Sequence, residues 1–426
     1  ALCLKFGIDK SYKTDVTQLE GEDLDGRGAR DAYNTAKLAE VIYPQLSEDE
    51  AKVYHDVLVP AMKAVARIEL EGIRIDLPKK REVAVRIEAD IKALDLANDE
   101  YLIKFNANSD KPFNIKSPVH KKLLVYDILG YTPPNMRIAK TDSGGFSTGK
   151  DVLTYLLSQR HTPTLEKLIK YSEYAGCRSN FLEALDQHII TRGDVSKVYT
   201  SLWIGDTSTG RIKSNKPNMQ NSPKTYAREI FIPTADNGLF LEFDYDAIEF
   251  KVLAALSGDE TMLEALESGD PHLYMARLIW PDKKLTKEGK EREIAKKINF
   301  GVPFGGTPSR VAMETGLQVR EAKKFFDIFW KTHPTLEEYY SSFPSEGWVY
   351  SPTGMKRWVN SIREAKNFPP QNTALIILLR ALNELVWEMK RQGAAVNLTV
   401  HDSVLIDLPT GDYQRIAGIA KEILES

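Results

Sequence analysis

Cysteine is nearly absent from this chain of 426 residues, which has only Cys3 and Cys177. Two distant cysteines build neither a disulfide framework nor a thiolate metal site, and they fit a reducing compartment. Long hydrophobic runs are missing as well. The richest, Ala374–Leu379, is broken at once by Arg380, then by Asn383 and Glu384, so no segment approaches a membrane span. Neither sign of charge is in excess: 57 Lys+Arg stand against 60 Asp+Glu, for a formal net charge of −3. No global basic signature announces nucleic acid, although a balanced total is compatible with a local basic surface. No fixed-period repeat and no signal peptide are seen. Ala1 starts abruptly and Ser426 ends inside a helix-like run, so the expectation is a piece of a longer chain.

What is there is a folded, soluble composition, 42% hydrophobic, long enough for about two to four subdomains. Arg30–Tyr43 is helix-like, and residues 47–107 carry strong helical patterning. There Val59, Met62, Val65, Ala66 and Leu70 recur at helical spacing until Gly72 stops the run. Residues 108–150, rich in Asn, Ser, Pro, Gly and Lys, read as an irregular tip. Helical patterns return over Asp151–His188. Val198–Ile204 and Leu239–Asp244 read as strands, and Pro271–Phe343 is mostly helical. "GWVYSPTGMKRWV" reads as a hairpin, Asn367–Met389 as a helix and Val396–Leu408 as a second hairpin. Many helices with a few late strands predict an α+β fold, a small antiparallel sheet carrying helical lobes.

Two carboxylates stand out. In "LFLEFDYDAIEFKVLAALSGD", Leu239, Leu241, Phe243 and Tyr245 alternate onto one face, and Phe240, Glu242 and Asp244 take the other. The period then turns helical, so Asp244 sits where a strand becomes a helix. That junction suits a hard cation, although a lone Asp there is more often an ordinary turn or cap residue. In "TVHDSVLIDLP", a two-residue turn at His401–Asp402 presents both side chains at a hairpin tip. If this hairpin pairs with the 239–244 strand, Asp402 faces Asp244. Bare carboxylates at that range repel, and a pair of Mg²⁺ ions removes the cost.

A cationic helix adds to this. "EREIAKKINFGVPFGG" puts Arg292, Lys296, Asn299 or Phe300, and Pro303 or Phe304 on one face. Cations suit phosphates and a ring suits a base or sugar, although a solvated face ending in core aromatics fits too. Pro303 predicts a bend or an end there. "TSTGRIKSNKPNMQNSP" offers Arg211, Asn218, Gln220 and Asn221 without a core pattern, as phosphate-contacting loops and ordinary surface loops both do. "GGFSTGKD" nearly fits a phosphate-binding Walker loop, but Asp151 takes the Ser/Thr position and no strand precedes it.

Together these segments resemble, in order and spacing, the polymerase region of the DNA polymerase I family (family A). "DYDAIEFKVLAALSGD" resembles its motif A, "EREIAKKINFGVPFGG" its motif B, and "VHDS" its motif C, normally His-Asp-Glu. "TSTGRIKSNKPNMQNSP", "NFPPQNTA", "SPTGMKRWV" and "ELEGIRID" are similar to further family segments. The resemblance implies a right-hand polymerase fold, with a palm built on a small antiparallel sheet and with helical fingers and thumb. It implies primer extension with dNTPs on a DNA template, and two Mg²⁺ ions held by Asp244, Asp402 and the Tyr245 carbonyl. Lys296 is then also catalytic. It implies dNTP contacts from Arg292, Lys296, Phe300, Phe304, His272 and Glu249, the last excluding a ribose 2′-OH. Primer or template contacts are implied for Arg211, Asn218, Gln220, Asn221, Gln371 and His401.

The implied division is an exonuclease remnant at 1–46, a thumb at 47–196, palm at 197–258, fingers at 259–344 and palm again at 345–426. "ALCLKFGIDKS" and "RDAYNTAKL" resemble the tail of a 3′–5′ exonuclease domain, with Asp31 as its final metal-binding Asp. The earlier acidic motif is absent, so no proofreading is expected. Arg27, where Tyr is usual, fits a longer parent of phage or plasmid type. Ser403, Asp246, Ala247, Pro303, Phe304 and Asn372 depart from the usual residues, and Ser403 leaves the site to Asp244 and Asp402 alone. The location expected is the cytoplasm, the host's if viral, with no membrane. A single-subunit RNA polymerase, or a relative that binds primer–template without extending it, is the alternative.

Overall fold

The computed structural model describes residues 21–141, 144–205, 207, 210–223 and 225–426. The segment "ALCLKFGIDKS" lies outside them. Helix α1 (Gly21–Ile42) carries an exposed Asp31. Helix α2 (Glu48–Val53) opens on a reciprocal cap in which Ser47 and Glu50 satisfy each other's backbone N–H groups. Helix α3 (Val59–Glu71) stops at Gly72, whose φ of +59° and close approach to Tyr199 admit only glycine. Its buried stripe is Ala61, Ala64, Val65 and Ile68, so the expected face is rotated: Met62 is 59% exposed and Leu70 71%. Small alanines let this helix approach its neighbours, a preference that hydrophobicity alone underweights.

Strand β1 (Ile73–Arg74) leads to α4 (Leu77–Ala93), which Asp76 caps. Helix α5 (Glu100–Ala107) closes the expected helical stretch, while α6 (Pro118–Lys122) shows that the expected irregular tip is partly helical. Apolar Leu124, Val125 and Leu129 overrule its polar composition by joining a local core. Helices α7 (Lys150–Gln159) and α8 (Pro163–Gly176) follow, α8 packing back on α4. The Walker-like stretch is the lead-in to α7, and Lys150 pairs with Glu173 at 2.8 Å.

Strands β2 (Ile189–Arg192) and β3 (Val195–Val198) join β1 in one antiparallel sheet of order β1-β3-β2. The expected single strand at 198–204 is split. Val198 ends β3, while β4 (Ser201–Trp203) pairs with β5 (Lys213–Asn215) elsewhere. Strand β6 (Gly238–Asp244) belongs to the central sheet.

A helical lobe comes next: α9 (Ile248–Ser257), α10 (Glu260–Glu267), α11 (Pro271–Ile279), α12 (Lys290–Gly301), α13 (Pro308–Thr315), α14 (Val319–Thr332) and α15 (Pro334–Ser341). Helix α12 ends just before Pro303. Strands β7 (Gly347–Tyr350) and β8 (Lys356–Val359) form the expected hairpin, with Trp348 opposite Trp358. Helix α16 (Ile362–Arg391) is longer than its sequence pattern and runs through Pro369 and Pro370. Ser361 caps it, and both prolines are buried.

Strands β9 (Ala395–Val400) and β10 (Ser403–Pro409) form the opening hairpin, and α17 (Tyr413–Glu425) closes the chain. The central sheet is antiparallel, of order β6-β10-β9. Its Val396, Val404, Ile406 and Leu408 face a core shared with α3, α16 and α17. The opposite face, with Phe240, Leu398, Val400 and Leu405, covers a second core built with α4. No helix among the described residues is long and apolar enough to cross a membrane.

Candidate active site

Strand β10 lies between β9 and β6, and its register sets Ser403 opposite Asp244. The two-residue turn before it holds His401 and Asp402. The Tyr245 N–H donates to the Asp402 carbonyl at 3.4 Å, so both aspartates come to one end of the sheet. They line a cleft of about 430 Å³ together with Tyr245, Glu249, His272, Lys296 and Phe300. Arg211, Gln371 and His401 line it as well, and they also line an adjoining cleft of about 680 Å³ that Asn218, Gln220 and Asn221 border.

The turn is strained: His401 has φ of +57°, a conformation that favours glycine. Burial pushes the Asp402 carboxyl above the usual carboxylate range, and the charges of Asp244 and Glu249 push it further. Ser403 does not enter the cleft. Its buried hydroxyl donates to the Val400 carbonyl at 3.1 Å and reaches Glu242 at 3.4 Å. Glu242, which sequence reading passed over, is therefore beside the hairpin, paired with Arg228 at 3.4 Å. Alternation in "LFLEFD" already put it on the face of Asp244. Asp246 is largely exposed and 3.5 Å from Lys251.

The lobe wall is built by α11 and α12. Asp270 caps α11 by accepting from the Leu273 N–H at 2.9 Å, and it also binds Arg292 at 2.8 Å. Burial opposes its charge, yet these hydrogen bonds hold the Asp270 carboxyl below its ordinary range. Arg292 is thus braced by α11 and is not among the residues lining the cleft. The Asp-Pro of "GDPH" is a helix-start signal that identifies Asp270. Burial lowers the His272 pKa, and the nearby cations Arg292 and Lys296 lower it further, so the ring is kept neutral. Asn299 turns inward to the Pro271 carbonyl and His272. Phe300 is 37% exposed and stands edge-on to His272, with ring centroids 5.2 Å apart.

Phe304 is elsewhere. It is 8% exposed, packed in the lobe core with Val302, and not on the cleft wall. The chain leaves helical geometry after Gly301, and this turns the Phe304 ring inward. Glu249 is clasped by Arg211, and Gln371 donates to it at 3.2 Å. Gln220 braces the sheet by accepting from the Ser214 N–H at 3.0 Å and donating to the Thr399 carbonyl at 3.1 Å. Asn218 caps the turn that carries Gln220. These two polar side chains are occupied by the fold, which loop composition did not reveal.

The donors at the sheet end are hard oxygens. Among the described residues no set of three or more His, Cys, Asp or Glu side chains gathers to hold a metal ion. Two carboxylates with a nearby backbone carbonyl still suit Mg²⁺, which keeps several waters and takes its remaining ligands from phosphate. Asp402 is buried beside the charges of Asp244 and Glu249, an arrangement that a bound cation would offset, so these residues fit the ion.

Residues 88–426 match the family model for DNA polymerase family A. Over 434 residues the chain is 28% identical to the thermostable DNA polymerase I of Thermus filiformis, covering 96% of this chain and 50% of that protein. It is 26% identical over 441 residues to DNA polymerase I of Synechocystis sp., covering 93% and 43%. The chain thus spans about half the length of these relatives. The polymerase domain of Pol1 from M. smegmatis, solved with DNA primer-template and dNTP, has the same fold. Its TM-score is 0.79 at 20% identity, over 99% of this chain and 74% of that one. With this right-hand architecture, and a family match that runs through both aspartates and the α12 lobe, the chain belongs to DNA polymerase family A.

Proposed function

We propose that this chain extends a primer 3′ end on a DNA template with dNTPs, by two-metal-ion nucleotidyl transfer. The observation that supports this most is the meeting of Asp244 and Asp402 at the floor of a cleft walled by Lys296, His272 and Phe300. In this reading 47–196 is the thumb, 197–258 and 345–426 the palm, and 259–344 the fingers.

Two bound Mg²⁺ ions would lower the pKa of the primer 3′-OH and neutralise the triphosphate. Asp244, Asp402 and the Tyr245 carbonyl would hold them. Lys296 binds the triphosphate and donates a proton to the leaving pyrophosphate. Phe300 packs on the incoming sugar and base, and His272 meets a phosphate as a neutral donor. Arg292 reaches the phosphates only by leaving Asp270. Glu249, fixed by Arg211 and Gln371, stands where a ribose 2′-OH would be excluded. Arg211, Gln371 and His401 face the primer end between the two clefts.

A cytoplasmic location is part of the same proposal. The relatives named above are bacterial, so a phage-type parent rests on Arg27 alone. A primed DNA template with Mg²⁺ tests the function. Extension with dNTPs, weak use of rNTPs and no extension by Asp402→Asn are expected. Preference for rNTPs would favour the RNA polymerase alternative. Tight binding without extension would favour the non-catalytic one.

A further inference from the structure

Two parts of the chain that leave the central sheet separately meet again at their far ends. One is the 77–176 segment, rooted where α4 packs on the Ala227–Ile230 turn. The other is the helical lobe, rooted where α9 packs on α16. The hairpin with Asp402 lies between the roots.

The far ends join through α7 on one side and α13 with the turn into α14 on the other. Met313 of α13 is 5% exposed because it is inserted into the apolar core of the other segment, with Val152, Tyr155 and Leu156. Val319 of α14 packs against both cores. Gln159 donates to the Gly316 carbonyl at 2.8 Å, and Gln318 donates in turn to the Gln159 side chain. Arg310 lies 3.8 Å from Asp151. At Gly316 (φ +74°) a Cβ would sit 2.9 Å from the Ser158 hydroxyl, so the two surfaces approach too closely for any side chain there. A residue from one segment inserted into the core of the other marks a lasting junction, because opening it would expose buried apolar surface.

We propose that this junction is a clasp that closes the protein into a ring around the primer–template, so that nucleic acid is retained topologically as well as by contacts. The inference rests on the polymerase reading above. It assigns to α7 a role in DNA retention that catalysis does not need.

The test joins the clasp covalently. In a Cys3→Ser background, Gln159→Cys and Gln318→Cys place two exposed thiols across the junction, for a short bismaleimide. Cys177 is buried, and each single-cysteine variant serves as control. The substrates are a primed circular single strand and the same strand linearised. Before cross-linking, the double variant extends both; if it extends neither while the parent does, the junction does not tolerate the change and Arg310→Cys with Asp151→Cys replaces the pair. A parent that extends neither refutes the polymerase reading itself.

Cross-linked before DNA is added, the enzyme is expected to extend the linear template, which can thread, and to lose extension of the circle. Cross-linked after loading, it is expected to stay on the circle through a high-salt wash that strips it from the linear strand. Equal use of both templates after cross-linking would overturn the proposal, since the ring would not enclose DNA. Loss of both would also overturn it, since the junction would then occlude the cleft. So would failure of both pairs to cross-link while their thiols remain titratable, since the contact would be absent.

Discussion

Asp402 carries a folded-state cost at neutral pH. Burial and the neighbouring carboxylates raise its carboxyl, so the metal-free folded chain binds that proton more tightly than the unfolded chain does. The stability this gives is present at acid pH and is lost as pH rises from the ordinary carboxylate value through the raised one. Asp402→Asn removes the dependence. We expect it to raise the melting temperature of the metal-free chain at neutral pH while abolishing extension. A variant that melts lower in chelator would contradict the electrostatic account. Ser403 is a quieter residue. Ser403→Glu sets a second carboxylate beside Glu242, outside the cleft, and should change the extension rate modestly. A dead Ser403→Glu enzyme would show that the hairpin depends on the Ser403 hydroxyl.

Among the elements, the β9–β10 hairpin and α12 carry the site, the first at a cost in backbone strain and the second through a stabilising brace. His401 occupies a left-handed turn position, which costs a non-glycine residue about 1 kcal/mol. His401→Gly should therefore stabilise the fold by roughly that amount in denaturant titration and weaken primer–template affinity. Unchanged affinity would remove His401 from the primer contacts. Helix α12 depends on α11 through Asp270. Asp270→Ala should cost about 1 kcal/mol by loss of the cap alone, with a further loss from the freed Arg292. A variant as stable as the parent would contradict this.

Much of this level was legible in the sequence. Alternation gave β6 and β10 and their faces, the change of period put Asp244 at a strand end, and Gly72 and Pro303 marked their helix boundaries. What was not legible depends on partners distant in the chain. Phe304 turns into the lobe core, Arg292 is taken by Asp270, and Gln220 is used to brace β5 against β9. The α3 stripe is rotated toward alanines because helix packing there rewards closeness over size. Local composition carries no record of such competition for one side chain.

At the scale of the whole molecule, balanced charge concealed two adjoining clefts that share Arg211, Gln371 and His401, and one of them gathers the carboxylates. The chain spans about half of the relatives it matches. The helical lobe lines one of the clefts through His272, Lys296 and Phe300, α16 and the residues around Arg211 line both, and the end of the central sheet supplies the floor. The claim on which all of this depends is that Asp244 and Asp402, brought together only by the β6–β10 register, act as one unit. Single-turnover incorporation of one dNTP by Asp244→Asn, Asp402→Asn and the double variant, with primer–template affinity measured alongside, tests it directly. Acting as a unit, each single change should lower the rate by roughly 10³-fold or more, and the double should lose little beyond the worse single. Losses that simply multiply, or a single variant that keeps near-parent rate, would contradict the account.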